Sequence, residues 1–328
     1  MGETTAVAHG GNPRVKALPP QDRAASLFPV PCSLKPKNLY LTQLKTAVKM
    51  NNKLSLKTLV RQFYRFLIHS TRVEYDRNNL RRSAIIFSPH QDDETLGCGG
   101  TIIRKKQAGA DIKIVFMTDG CQSHAHLIPE NQVKSIRANE ALAAAQQLGL
   151  QEHDVSFLEF KDGTLDKTRN FAIHNVAQII LNYLPEEIFI PYYNDGVSDH
   201  NATNEIVVAA LKTIKFDVTV YEYPIWFWNH WPWTRVEGSK PNLVSFFKKT
   251  IMSGFRLLND FRLSVYIGDV FDIKRTALDQ HQSQMKQLIP HPRWLTLKDV
   301  SEGEFLDCFF QNYELFRRYS LNHNSEYS

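Results

Sequence analysis

From residue 83 onward the chain alternates short, almost wholly apolar runs with longer stretches of helical periodicity, and this limits the possible folds more than any other feature. The apolar runs cover 83–88, which contains Ala84-Ile85-Ile86-Phe87, then 112–118, 155–160, 187–192 and 217–225. Helical patterns lie between them, over about 95–108, 131–148, 170–183 and 202–213. A strand that is apolar at every position has no face for water, so it belongs in a sheet covered on both sides. Strands joined by helix-length connections pair in parallel. The expectation is an α/β domain with a mostly parallel sheet and helices on both faces. Side chains that do chemistry in such a sheet sit beyond the C-terminal ends of the strands.

The segments at those ends carry ionisable groups. Ser88-Pro89-His90-Gln91-Asp92-Asp93-Glu94 follows the first strand. His, Asp and Asp within four positions are costly to bury together without a cation. His90 and Asp93 are suited to one ion, which leaves Asp92 for proton chemistry. Asn194-Asp195-Gly196-Val197-Ser198-Asp199-His200 follows the fourth strand and supplies His200 as a third ligand. Two nitrogens, one oxygen and an open position suit hydrolytic zinc. Asp199 reads either as a helix cap or as a carboxylate that orients a ligand. Gly97-Cys98-Gly99-Gly100 is no dinucleotide loop, because Ile102 stands where the third glycine of G-x-G-x-x-G belongs; close packing of the helix start explains it better. Asp119, in Thr118-Asp119-Gly120 after the second strand, is a turn residue or a substrate contact. Arg137 with Glu140, and the late segment Lys274, His281, Ser283, Gln284, read as solvated faces, with a pocket role open for His281.

Beyond these segments, 226–262 is rich in Trp, Phe and Pro and reads as an insertion or lid. Trp226, Trp228, Trp231 and Trp233 in it suit either a packed lid or a wall for sugar rings. A strand at about 263–269 and a helix at about 272–288 are expected next, and 303–320 reads as helical.

Charge separates the N-terminal part from the rest. Residues 1–82 carry fifteen Lys and Arg against four Asp and Glu, a net of +11, whereas the remainder carries −6. Residues 1–30 read as a disordered lead-in, 31–82 as a basic extension with an amphipathic helix, and 83–328 as the catalytic domain with its insertion at 226–262. The helix, at 54–69, places Leu59, Phe63 and Phe66 on one face and Lys57, Arg61 and Arg65 on another. Docking on the catalytic domain is the simpler reading, contact with an anionic membrane surface the second; nucleic acid is not expected. Cys32, Cys98, Cys121 and Cys308 are scattered, without a CxxC pair, which favours a reducing, cytoplasmic setting, peripheral to a membrane if the helix binds one. No secretory leader and no membrane-spanning run is read.

These residues together resemble a known family. PHQDDETLGCGGTI is similar to the signature of the PIG-L/LmbE-like deacetylases, Arg137-Ala138-Asn139-Glu140 with Leu148-Gly149 to its R-x-x-E…LG helix, and Asn194–His200 and Lys274–Gln284 to its two later elements. The resemblance covers about residues 83–290. It implies a Rossmann-like fold and a zinc-dependent hydrolase, one Zn2+ per chain, that removes acetyl from an N-acetylated amino sugar or its conjugate. His90, Asp93 and His200 correspond to the metal ligands, Asp92 to the general base, and Asp199 to a supporting acid. Asp119, Arg137 and His281 are candidate substrate contacts. One departure is expected to matter: Val197 stands where the family usually has a His that stabilises the oxyanion, which turns attention to His230 or His281. A catalytically impaired metal- and sugar-binding protein and a ferrous oxygenase are the alternatives.

Overall fold

The computed structural model describes residues 55–234 and 243–322. The lead-in at 1–30 and residues 31–54 of the extension, Cys32 among them, lie outside the described residues.

Eight strands form one sheet: β1 Val73–Glu74, β2 Ala84–Ser88, β3 Ile112–Thr118, β4 Val155–Phe160, β5 Glu187–Pro191, β6 Val218–Tyr223, β7 Leu263–Tyr266 and β8 Tyr313–Leu321. Their order is β1-β7-β8-β6-β5-β2-β3-β4. Every pairing is parallel except those of β8, which runs antiparallel between β6 and β7. Helices Asp93–Gln107, Glu130–Gln147, Arg169–Tyr183 and Ser198–Ile214 connect the parallel strands. Side chains alternate between faces along a strand, so β2 feeds two cores. Ala84 and Ile86 pack with Ile112, Ile114 and Phe116; Ile85 and Phe87 pack with Val115, Met117, Ile188 and Ile190. All five β2 residues are buried, as their uniformly apolar sequence requires.

The strand order reverses at β2. From β2 the chain moves to β3 and β4 on one side; β5 returns to pair with β2 on the other side and leads on to β6. The loops leaving β2 and β5 therefore diverge, and a crevice opens between them. The glycines after β2 let the first helix settle beneath it. A Cβ on Gly97 would lie 2.4 Å from the Tyr223 ring, and one on Gly100 would lie 2.4 Å from Ile267.

Three expectations are corrected. Residues 303–320 are not one helix: a single helical turn at Glu304–Asp307 gives way to β8. Glu314 and Phe316 are buried while their neighbours are less so, a period of two that suits the open edges of β6 and β7. The expected 272–288 helix is two pieces, Phe271–Leu278 and Gln282–Met285. His281 breaks it with ψ near 61°, and its ring turns inward to Glu94 Oε1 at 3.2 Å. Lys274 is likewise no solvated residue: it is fully buried and donates to Leu96 O, Phe309 O and Glu314 Oε1.

The basic helix is present at Leu56–Thr71, capped by Ser55 Oγ accepting from Thr58 N. Two of its cations engage the domain, while Arg65 and Phe63 are exposed. Lys57 Nζ and Arg61 Nη2 pair with Glu304 at 2.5 and 2.8 Å, and Arg61 also donates to the carbonyls of Pro232 and Trp233. Within the insertion, Trp226–Trp228 form a 3-10 turn and Leu243–Asn259 a helix. Trp228 and Trp233 are buried and meet edge to face. Among the described residues, no helix is long and apolar enough to cross a membrane.

Candidate metal centre and catalytic base

His90 sits on the loop after β2, Asp93 opens the helix that follows, and His200 lies in the first turn of the helix after β5. The strand reversal brings the three together. Asp93 Oδ2 is 3.3 Å from His90 Nδ1 and 3.3 Å from His200 Nε2, and the three ligand atoms lie within 4.8 Å of one another. His200 is wholly buried, yet its Nε2 has no hydrogen-bond partner. A buried imidazole nitrogen left unsatisfied, facing a carboxylate oxygen shared with a second imidazole, is a donor arrangement that a cation would satisfy. The N, O, N donor set fits zinc.

The outer contacts were only partly legible. Behind His200, Nδ1 lies 2.8 Å from Asp195 Oδ2. Asp195 also accepts from the backbone N–H groups of Ile225, Trp226 and Phe227 at 2.9 Å each, so it fixes the β6 loop as well as the ligand. Asp199 serves His90 instead: its Oδ2 is 3.5 Å from His90 Nε2 and accepts from Gly163 N at 2.7 Å. Sequence reasoning missed Asp162, whose Oδ1 is 3.1 Å from His90 Nε2. A carboxylate two residues beyond β4 was the available signal, of the same kind as those after β2 and β5. Burial works against ionising Asp162, but the His90 hydrogen bond and charge prevail and hold its carboxyl down at about 2. The same balance acts on His90: burial opposes its charge, and Asp162, Asp199 and Asp93 outweigh that, so its pKa rises well above the ordinary imidazole range.

Asp92 has φ 139° and ψ −28°, a conformation that costs a non-glycine residue roughly 1–3 kcal/mol. Two contacts hold it. Its N–H donates to Glu94 Oε2 at 3.0 Å, and Arg137 Nη2 donates to Gln91 O at 2.5 Å. The carboxylate lines a cavity of about 330 Å³ together with His90, Asp93, Asp162 and Arg137. Arg137, buried rather than on the surface, lies 3.4 Å from Asp92 Oδ1. Burial raises the Asp92 carboxyl to about 6, Arg137 pulling the other way. Such a group gains and loses a proton near neutrality, as a general base must.

The remaining candidates fall behind this wall. Asp119 does not line the cavity; its carboxylate accepts from Cys121 N and Asp162 N and holds the neighbouring loops. His281 is buried against Glu94, and Glu140 accepts from Ser283 N and Oγ. Val197 lines the cavity and offers no donor. His281 is not among the lining residues, and His230 lines a neighbouring cavity. Among the described residues, the polar side chains that line this cavity, besides the acids and His90, are Gln122, Ser123, Arg137 and Gln284.

Residues 85–211 match the family model described as PIG-L, GlcNAc-PI de-N-acetylase. The chain is 26% identical over 220 residues, 65% of its own length and 95% of the relative's, to a probable N-acetyl-alpha-D-glucosaminyl L-malate deacetylase 2 of Bacillus anthracis. It is 23% identical over 212 residues, 63% of its length and 71% of the relative's, to diacetylchitobiose deacetylase of Thermococcus kodakarensis. In fold it is similar to the solved structure of N,N'-diacetylchitobiose deacetylase from Pyrococcus horikoshii. That likeness has a TM-score of 0.53 at 16% identity and covers 82% of this chain and 95% of that one. The residues that match the PIG-L family model include His90, Asp92, Asp93 and His200, and they lie on a mostly parallel sheet of the kind seen in the LmbE-like deacetylases.

Proposed function

We propose that the chain is a zinc-dependent hydrolase that removes the acetyl group from an N-acetylated amino sugar or its conjugate. The observation that carries this reading is Asp92, strained and 3.4 Å from Arg137, lining one cavity with His90 and Asp93 beside the His90, Asp93, His200 cluster. The named activities of the similar proteins support it.

Zinc, when bound by His90, Asp93 and His200, supplies Lewis acidity toward the amide carbonyl and toward water. The chain's own residues do the rest. Asp92 accepts the proton of the attacking water and returns it to the departing amine. Arg137 keeps Asp92 ionised and aligned through its grip on Gln91 O. Asp195, Asp162 and Asp199 hold the two imidazoles in place. Trp226, stacked on Phe305 with centroids 4.8 Å apart, supplies an apolar wall suited to a sugar ring. With Val197 offering no donor, oxyanion stabilisation falls to Arg137, Gln122 or Gln284 and the metal.

Engagement of Lys57 and Arg61 by Glu304 and by backbone carbonyls supports the docked-helix reading over the membrane-surface one. The free thiols Cys98, Cys121 and Cys308 support a reducing, cytoplasmic setting. The test is mass spectrometry of N-acetylhexosamine conjugates incubated with the zinc-loaded full chain. Loss of one acetyl, absent with Asp92→Asn, is expected; intact substrates throughout would overturn the reading.

A further inference from the structure

The positive φ of Asp92 is a matter of where the Gln91–Asp92 peptide points, and that peptide is gripped at both ends. Its carbonyl accepts from Arg137 Nη2 at 2.5 Å, and its N–H donates to Glu94 Oε2 at 3.0 Å. The next peptide is fixed as well, because Leu96 N donates to Asp92 O at 2.9 Å. A residue with a Cβ keeps such a conformation only where its surroundings impose it. The groups that grip the peptide must therefore be held still themselves.

Glu94 is buried, and so is His281 beside it. With Oε2 serving the Asp92 N–H, Oε1 accepts from Thr95 Oγ1 at 2.6 Å and faces His281 Nε2 at 3.2 Å. Thr95 belongs to the same helical turn as Glu94 and moves with it. His281 comes from 187 residues away and ties the carboxylate to another part of the chain. Its own place is fixed: its N–H donates to Leu278 O, and its carbonyl accepts from Gln284 N and Met285 N. On one side of it Lys274 Nζ donates to Leu96 O, in the first turns after Asp92; on the other Ser283 donates to Glu140. Burial opposes a charge on the His281 ring, but Glu94 and then Asp92 outweigh it and raise its pKa, which keeps Nε2 a donor. The ring does not line the metal cavity, so whatever it does for the site passes through Glu94.

We propose that His281 is a positioning residue for the base: it holds Glu94, Glu94 holds the Gln91–Asp92 peptide, and that peptide aims the Asp92 carboxylate into the metal cavity. The proposal rests on the de-N-acetylase reading for the role of Asp92, but the geometry is testable without turnover. The test is a set of variants of the zinc-loaded full chain. His281→Leu removes the donor, His281→Gln offers an amide N–H in place of Nε2, and His281→Asn is polar but too short to reach Glu94. Crystal structures should show Asp92 displaced from its φ of 139° in the Leu and Asn variants and kept there in the Gln variant. On the N-acetylhexosamine conjugate that loses acetyl, kcat should fall about 10²-fold in the Leu and Asn variants and recover to within about tenfold of wild type in the Gln variant. Zinc content and KM should stay as in the wild type. The Asn variant decides the matter if the Leu variant does not fold. A merely structural ion pair would lower the unfolding midpoint and leave kcat per folded, zinc-loaded molecule unchanged. That result, a Gln variant as slow as the Leu one, or an Asp92 backbone unmoved in the Leu and Asn crystals overturns the proposal. If the wild-type chain removes acetyl from no conjugate, the deacetylase reading fails, and the crystal structures alone decide whether His281 holds Asp92.

Discussion

The two ends of the sheet bury charge in opposite ways. At the N-terminal end of β5, Glu187 is fully buried, and its contacts close around it. Tyr75 Oη donates to it at 2.6 Å and Tyr221 Oη at 2.9 Å, and Lys105 Nζ pairs with it at 2.6 Å while donating to Asn79 O and Arg82 O. At the C-terminal end the contacts stay open. His200 Nε2, His281 Nδ1, Arg137 Nε and Gln91 Oε1 are buried without partners, Asp92 is strained, and carboxylates crowd two imidazoles. A closed buried network specifies structure; an open one keeps valences for a ligand at the expense of stability.

The largest test of this contrast removes the ligands. His90→Ala, Asp93→Ala and His200→Ala should each lose most bound zinc, and turnover should fall by more than about 10³-fold. Metal analysis by plasma mass spectrometry that found full occupancy in all three would end the assignment.

Asp92→Asn should keep the metal and lose about 10²–10⁴-fold in rate. Because the base must be ionised to work, wild-type kcat/KM should be low at acid pH and rise through about 6; this limb should vanish in Asp92→Asn. Arg137→Met removes a charge that favours ionisation and should move the limb to higher pH. A limb that stays in place would remove Arg137 from the proton chemistry.

Glu187→Gln acts at the other end. It leaves Lys105 buried without its counter-charge, which typically destabilises by about 3–5 kcal/mol, and the rate per folded molecule should stay unchanged. Urea unfolding alongside active-site-normalised kinetics separates the two effects; a lower kcat at full folding would mean the two ends are coupled.

Val197→His adds a donor to the open end and should raise kcat by about tenfold. No gain would indicate that Arg137, Gln122 or Gln284 already serves the oxyanion.

The smallest effect is at the docked helix. Burial disfavours ionised Glu304, but its bonds to Lys57 and Arg61 prevail and lower its pKa. Its contribution is therefore present above the ordinary glutamate range and lost as pH falls through the lowered value. Since the pair is partly exposed, Glu304→Gln should cost a few tenths of a kcal/mol near neutral pH and nothing at low pH. The difference in thermal midpoint between wild type and variant, followed by circular dichroism at both pH values, checks the sign.

Much of the His90, Asp93, His200 cluster was legible because its signals are local. His90, Asp92 and Asp93 lie within four positions after one strand, and His200 follows another; uniform apolarity of the strands implied both cores and the parallel sheet. Lys274 and Arg137 read as surface residues because one-dimensional spacing cannot distinguish a solvated cation from one whose partners, Glu314 or Asp92, lie tens of residues away. The 303–320 segment read as helical because its edge partners, β6 and β7, are equally remote in sequence.

The sequence by itself determined the strand-and-helix alternation, the chemistry concentrated at two strand ends and the basic amphipathic helix, since each depends on neighbours a few positions apart. Only the tertiary structure decided that Asp162 and Asp199 share His90 while Asp195 takes His200. It also decided that β8 runs antiparallel between β6 and β7, and that Trp226 lines two neighbouring cavities. Each of these depends on which loops the reversal of strand order at β2 brings face to face, and that is a property of the assembled sheet.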